Sequence, residues 1–170
     1  ALVSSCKLIV DGMDVYSYTV GGADNNCLSV VGGMQIDVHG NINSTRIGGR
    51  FMNGVGGVND AVNAREVFAM ARHGRRHLVE KLSYVTAPGR AVRTLVTSRA
   101  IFERRGPEDT FVLTGLLPRR DGASEEHVME EVAAECSWPL RRAEKLERVP
   151  PPTKDELLLL RALDIQGVFL

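Results

Sequence analysis

Short apolar runs, separated by glycine- and proline-containing breaks, dominate the first two thirds of the chain. Leu28-Ser29-Val30-Val31 reads as a buried strand stopped by Gly32-Gly33. Met34, Ile36 and Val38 alternate with Gln35 and Asp37, the period of a half-buried strand, and His39-Gly40-Asn41 closes it with turn chemistry. Val67-Phe68-Ala69-Met70-Ala71 is the next buried strand. Leu82–Val85, Val92–Thr97, Ala100–Phe102 and Phe111–Thr114 follow as short strands, broken by Pro88-Gly89 and Arg105-Gly106-Pro107. Nearer the start, Leu8-Ile9-Val10 and Val15-Tyr16 read as short strands or an irregular lead-in.

Helical patterns sit among and after these strands. Residues 59–65 read as a short helix that Asn59 or Asp60 would cap. Over 124–136, Val128, Val132 and Cys136 recur four apart on one face, with Ser124 as the cap. Pro150-Pro151-Pro152 forms a stiff spacer, and Thr153-Lys154-Asp155-Glu156 is a capping-box pattern opening a last helix to about Leu163. The expectation is an α/β layered fold in one domain, 1–170, with a proline spacer and helix at 150–170. No internal repeat or low-complexity tract interrupts it.

Composition narrows the function. The 170 residues are 44% apolar and 25% charged, with 21 acidic and 21 basic side chains. A net charge of zero supplies no field for nucleic acid or an anionic membrane, and scarce aromatics give no base-stacking surface. No apolar run approaches the roughly 20 residues of a membrane span. Cys6, Cys27 and Cys136 match no zinc or redox spacing and read as small apolar fillers. Their odd number points to reduced thiols and a cytoplasmic setting. The opening Ala1–Leu8 is not a signal peptide, and the missing initiator Met fits a processed, trimmed or partial chain.

Eight of the chain's 17 glycines fall between Gly32 and Gly57. Such density costs conformational entropy and makes sense where backbone turns tightly or approaches a ligand. In Asn53-Gly54-Val55-Gly56-Gly57-Val58-Asn59-Asp60 the glycines run straight into a helix start. Free backbone N–H groups there, with the helix dipole, suit an anion or an oxyanion such as a thioester carbonyl becoming tetrahedral. No Gly-Lys-Ser/Thr follows, so it is not a P-loop, and the spacing is wrong for a dinucleotide fingerprint. The plain alternative is a tight strand-to-helix turn with no ligand.

The order of motifs carries a resemblance. Gly32-Gly33-Met34-Gln35-Ile36-Asp37-Val38-His39-Gly40-Asn41-Ile42-Asn43-Ser44-Thr45 resembles a signature of the family I coenzyme A transferases. There a buried strand leads into a Gln-Val-Asp turn, Gly-Asn and a polar run, and then a glycine-rich loop with an Asp at a helix head. Val85-Thr86-Ala87-Pro88-Gly89 and Val92-Arg93-Thr94-Leu95-Val96-Thr97 follow in the family's order. Glu126-His127-Val128 through Cys136-Ser137-Trp138-Pro139-Leu140, then Pro151-Pro152-Thr153 and the Leu-rich helix, resembles the end of glutaconate transferase-like β subunits. Asn43-Ser44-Thr45 with Met52-Asn53-Gly54 is similar to acetyl-coenzyme A hydrolase/transferases. The resemblance covers roughly Cys27 to Leu170.

It implies a coenzyme A transferase-like layered α/β fold with a mixed, mostly parallel sheet, incomplete at the N-terminus if the chain is a piece. It implies acyl exchange between a coenzyme A thioester and a small carboxylic acid through a glutamyl-coenzyme A thioester, with no tightly bound cofactor and a second transferase-like subunit or domain as partner. The sequence departs from the family at the nucleophile: no Glu precedes Gln35, and the first is Glu66. Either the chain is the C-terminal part of a longer or cleaved subunit, or a partner brings the Glu, or the chemistry is that of a hydrolase or carbon–carbon lyase. A non-catalytic subunit completing a partner's site is the other class. No catalytic residue is therefore assigned. Gly33, Gln35, Asn53, Gly54, Gly56 and Gly57 are the expected thioester- and coenzyme A-binding residues.

Gly33 and Gln35 would line the acyl pocket or merely end a strand, and Asn53 would donate its amide to the acyl group or merely form a turn. Asp60 is read as a helix cap before a catalyst. Arg72, Arg75 and Arg76 form a basic turn that could meet coenzyme A phosphates, though a solvated turn is the plainer reading. His73 and His77 lie four apart, but Gly74 opposes a helix there and no third ligand is near, so no metal is expected. His39 has no nucleophile beside it in sequence. Glu125, Glu126, Glu130 and Glu131 read as a solvated helix face.

Overall fold

The computed structural model describes residues 26–105, 108–118, 123–164 and 167. The strands expected within residues 6–20, and Cys6, lie outside them.

Among the described residues, 11 strands and three helices follow in chain order. They are β1 (Leu28–Gly32), β2 (Gln35–Asp37), β3 (Ile42–Asn43), β4 (Arg46–Ile47), β5 (Arg50–Phe51), α1 (Val58–Ala61), β6 (Glu66–Ala71), β7 (Leu78–Val79), β8 (Val92–Thr97), β9 (Ala100–Arg105), β10 (Thr110–Leu116), α2 (Glu125–Ala134), β11 (Arg141–Arg148) and α3 (Lys154–Leu163). Six strands form the main sheet in the order β1-β6-β8-β9-β10-β11. The pairs β1–β6, β6–β8 and β10–β11 are parallel, whereas β8–β9 and β9–β10 are antiparallel. A second sheet runs β3-β2-β7, and β4 pairs with β5 as a hairpin. The layered α/β fold is the one that the alternation of apolar runs and helices implied, and the mixed, mostly parallel sheet is the one that the family resemblance implied.

Alternation along β6 and β9 turns one face of each toward the core. Val67, Ala69, Val92, Leu95, Phe102, Phe111 and Leu113 point to one core and are at most 1% exposed. Burying each large side chain contributes about 1.5–3 kcal/mol relative to exposure. Helix α2 covers them with Val128, Val132 and, just beyond its end, Cys136, the face expected from the spacing. Ser124 caps α2, its hydroxyl accepting the His127 N–H at 3.3 Å. Trp138 meets the Phe102 ring edge-on at 6.4 Å.

The second sheet is welded to the first by close backbone approach. Gly89 packs so tightly on the Asp37–Asn41 turn that a Cβ there would lie 2.1 Å from the Gly40 carbonyl carbon. The Gly89 N–H donates to Asn41 Oδ1 at 2.9 Å, and the buried Arg104 guanidinium donates to the carbonyls of Gly89 and Val92. The Asp37 carboxylate organises the turn, accepting the N–H groups of His39 and Asn41, each at 3.0 Å.

Several expectations need correction. Leu82–Val85 is not a strand: it is irregular chain, and β7 forms earlier, at Leu78–Val79, where Ile36 of β2 offers a parallel partner. The strand β1 is not buried on both faces. Among the described residues it is an edge strand, with Leu28 58% and Val30 60% exposed while Val31 faces the core. The helix expected over 59–65 is one turn, Val58–Ala61, with Gly57 at its N-cap and no side-chain cap bond. Asn59 and Asp60 lie inside that turn, so neither caps it. Glu125 and Glu131 do not merely face solvent, because they pair with Arg148 and Arg99.

Two elements had no counterpart in the sequence pattern. The β4–β5 hairpin turns through Gly48 (φ 55°) and Gly49 (φ 83°), two successive left-handed positions that suit glycine. The charged stretch Arg141–Arg148 is a strand, parallel to β10, with only Ala143 and Leu146 of its non-polar residues turned partly inward.

Candidate functional site

The three parallel strands β1, β6 and β8 end side by side, and a cleft opens beyond their carboxyl ends. Its volume is about 550 Å³. Gly32 ends β1, Met70 and Ala71 end β6, and Val96 and Thr97 end β8, and all five line it together with Gly33, Met34, Ser44, Asn53, Arg72 and Ser98. Ligands in open α/β sheets bind at this position, because the loops leaving parallel strands splay apart there.

Two further hollows flank the cleft. On one side, a space of about 420 Å³ shares Gly32, Ser44 and Asn53 with it and is closed by Val30, Val31, Gly54, Val55, Gly57, Val58 and Ala61. On the other, a space of about 540 Å³ shares Gly33, Met34 and Arg72 and adds Gln35, Ile47, Arg76 and His77. A ligand could thus run from the glycine loop, past the strand ends, to a basic side.

The glycine loop leaves a run of backbone amides without protein acceptors among the described residues. None of the N–H groups from Gly54 to Asp60 finds a protein acceptor among the described residues, and Asn53 N–H only reaches Thr45 O at 3.5 Å. Gly56 adopts φ 56°, so the backbone itself favours glycine there. Gly54 is different: a Cβ would meet nothing within 4 Å, so the fold does not demand glycine, and its absence of a side chain keeps space open above the amides. With α1 only one turn long, its dipole adds little.

A polar knot holds the loop's neighbour, Ser44. Asn43, fully buried, donates from Nδ2 to Gln35 Oε1 at 3.0 Å and to Arg46 O at 2.6 Å, and its Oδ1 accepts the N–H groups of Thr45 and Arg46. The Ser44 N–H donates to Thr86 Oγ1 at 3.1 Å, but the Ser44 hydroxyl is buried with no partner among the described residues. An orphaned buried hydroxyl where two hollows join has a cost that a ligand contact would offset. The sequence motif contains Ser44 but gives it no role; its only signal there is a small polar residue between two knot-forming ones. The Asn53 amide makes a single weak contact, to Met34 Sδ at 3.8 Å, and is otherwise available among the described residues.

The structure separates the remaining candidates. Gln35 lines the basic hollow with both ends of its amide engaged, Nε2 donating to Arg76 O at 3.2 Å and Oε1 accepting from Asn43. Gly33 lines both the cleft and the basic hollow, and a Cβ there would crowd Ile36 and Ile42 at 3.0 Å. Arg72 and Arg76 face the basic hollow, whereas Arg75 Nε donates to Ala134 O at 2.6 Å and serves the C-terminal end of α2. His77 Nδ1 bonds to Met34 O at 2.8 Å. His73 is partly buried between Thr97 Oγ1 and Val132 O, and burial depresses its pKa, so the neutral ring is favoured, with Nε2 donating to Val132. Burial pushes the Cys136 thiol up to about 12, which removes it as a nucleophile. His39 lies at an exposed turn and lines none of these hollows. Among the described residues no three His, Cys, Asp or Glu side chains come together as a metal site, and no helix is long and apolar enough to cross a membrane.

Solved structures share this α/β architecture, with its cleft at the ends of parallel strands. Glutaconate coenzyme A-transferase from Acidaminococcus fermentans superposes with a TM-score of 0.70 at 24% identity, over 88% of this chain and 62% of that one. The decarboxylase AibA/AibB gives 0.72 at 24% identity, over 91% and 63%. Residues 10–100, more than half of the chain, match the family of acetyl-CoA hydrolase/transferase C-terminal domains, and the chain belongs to that family. Among curated proteins, a subunit of the 3-oxoadipate CoA-transferase of Pseudomonas knackmussii is 28% identical, over 96% of this chain and 68% of its own length. A subunit of the glutaconate CoA-transferase of A. fermentans is 39% identical over 38% of this chain and 26% of its own length. The chain thus spans about two thirds of the length of its more fully aligned relatives.

Proposed function

We propose that this chain is a subunit, or part of one, of an acyl-coenzyme A:carboxylate coenzyme A transferase, and that it supplies the wall of the site that receives the thioester. The observation that carries this reading is the row of amides from Gly54 to Asp60, unclaimed among the described residues, beside a cleft at the ends of β1, β6 and β8. In the reaction a carboxylate adds to the thioester carbonyl carbon, the carbonyl oxygen gains negative charge, and the C–S bond then breaks to release the coenzyme A thiolate. Loop amides and the Asn53 and Ser44 side chains would hydrogen-bond that oxygen as its charge grows, the use of fixed donors that lowers such barriers most. Gly33, Gly54, Gly56 and Gly57 keep backbone accessible to the acyl group, and Gln35 fixes the wall through Asn43.

Among the described residues no Glu or Asp lines the cleft or the glycine-loop hollow, and in this reading the attacking carboxylate comes either from a longer form of this subunit or from a second transferase-like subunit or domain. The same observation favours a second reading, a hydrolase or carbon–carbon lyase on this fold that needs no glutamyl intermediate. The acceptor in the first reading is a small carboxylic acid, no tightly held cofactor takes part, and the setting is the cytoplasm.

Incubating the chain with acyl-coenzyme A and acetate, with and without the neighbouring subunit, tests this. Acyl exchange that requires both supports the transferase. Release of coenzyme A without an acceptor supports the hydrolase. Tight subunit association with no turnover under any condition contradicts both and leaves a structural subunit.

A further inference from the structure

The basic hollow beside the cleft adds Gln35, Ile47, Arg76 and His77 to the Gly33, Met34 and Arg72 that it shares with the cleft. Arg72 and Arg76 both line it, no acidic residue does, and neither guanidinium has a carboxylate partner among the described residues. This differs from the ion pairs made elsewhere by Arg93, Arg99, Arg104, Arg105, Arg141 and Arg148. His77 adds a ring whose Nδ1 is held by Met34 O, which leaves Nε2 for a ligand. The floor is fixed, because the Gln35 amide ties the Arg76 carbonyl to the knot at Asn43. Two arginines that converge on an open hollow of about 540 Å³ without internal neutralisation form an anion receptor, and planar guanidinium groups match the oxygen pairs of carboxylate and phosphate.

From this we infer that Arg72, Arg76 and His77 form an anion subsite that holds a carboxylate or phosphate group of the bound thioester, at a point remote from the bond that breaks. The placement follows from continuity: Arg72 lines both spaces, while Ser44 and Asn53 line the cleft and the glycine-loop hollow but not the basic one. The inference rests on the thioester reading for the identity of the ligand, but not for the existence of the subsite. Two sources share the chemistry: the distal carboxylate of a dicarboxylic acyl group, and a phosphate of coenzyme A itself.

The His77 ring resonances of the full chain would be followed by NMR during titration with glutarate and, separately, inorganic phosphate. Saturable shifts are expected in the wild type. Affinity is expected to fall about tenfold or more in an Arg72→Gln/Arg76→Gln double variant, the loss of one or two charge-assisted bonds. Absence of saturable shifts, or an unchanged titration in the variant, overturns the subsite. Glutaryl-coenzyme A and valeryl-coenzyme A then separate the sources. A preference for glutaryl that disappears in the variant assigns the distal carboxylate. Equal weakening of both thioesters, abolished with their 3′-dephospho forms, assigns the phosphate. If glutarate or phosphate titrates His77 but neither thioester binds, the thioester reading falls while the anion subsite stands. Circular dichroism of the double variant checks that these exposed substitutions leave the fold intact.

Discussion

The hydroxyl oxygens of Thr45 and Thr86 lie 2.8 Å apart, although 41 residues separate them in sequence. Thr86 Oγ1 also accepts the Ser44 N–H, so this contact joins the polar run after β3 to the segment before Pro88 and fixes Ser44 at the mouth of the cleft. Thr86→Val should therefore cost about 1–3 kcal/mol, because it leaves Thr45 Oγ1 and the Ser44 N–H without their partner. Asn43→Ala removes a buried hub of several bonds and should cost about 2–4 kcal/mol. Urea unfolding of both variants checks the order; a loss below about 0.5 kcal/mol (the scatter of neutral surface changes) for Asn43→Ala would show that the knot is ornamental.

Ser44→Ala separates stability from binding. The Ser44 hydroxyl has no partner among the described residues, so removing it should leave stability unchanged or slightly raised. Thioester affinity or turnover should fall severalfold if that hydroxyl meets the acyl group. Unchanged kinetics would remove Ser44 from the site.

Gly54 and Gly89 make opposite predictions from the same substitution. Gly54→Ala introduces a methyl into open space and should change stability by no more than about 0.5 kcal/mol, while it obstructs access to the loop amides and weakens thioester binding. Gly89→Ala drives a Cβ into the Gly40 carbonyl and should cost about 3 kcal/mol or more. Thermal unfolding and thioester binding measured on both variants check the contrast.

His73 gives a pH signature. Burial favours its neutral form in the folded chain, against partial support for the cation from Val132 O and Glu135, with Arg99 also opposing the cation. The unfolded chain takes up a proton near the ordinary value of 6.5, the folded chain only at lower pH. Stability from this residue is therefore complete above about pH 6.5 and declines as pH falls from there toward the depressed folded value. Denaturant unfolding across that window should show a slope that His73→Gln flattens; an identical slope in the variant would assign the effect elsewhere.

Much of the core was legible because period and burial agree. Val67 and Ala69 alternate with exposed or half-buried neighbours along β6, and Val128, Val132 and Cys136 recur at helical spacing, so local pattern and packing give the same answer. The capping box was legible too, since it needs only Thr153 and Glu156, which bond each other reciprocally. Arg141–Arg148 was not, because its eight residues are rich in helix-forming charged side chains and become a strand only by pairing with β10 at the sheet edge. The hairpin at Gly48-Gly49 was hidden by its two-residue strands. The glycine loop could be read as a loop, but the cleft and the basic hollow are assembled with Arg72, Arg76 and Ser98, which no local motif places beside Gly33.

The most direct test follows the backbone amides of residues 54–60 in ¹H–¹⁵N spectra of the full chain as acyl-coenzyme A is added. The thioester wall described here requires the Gly54, Gly57 and neighbouring N–H resonances to move downfield saturably, with Ser44 and Asn53 shifting alongside. Saturable binding that leaves all of these resonances in place, and perturbs another face instead, would contradict it.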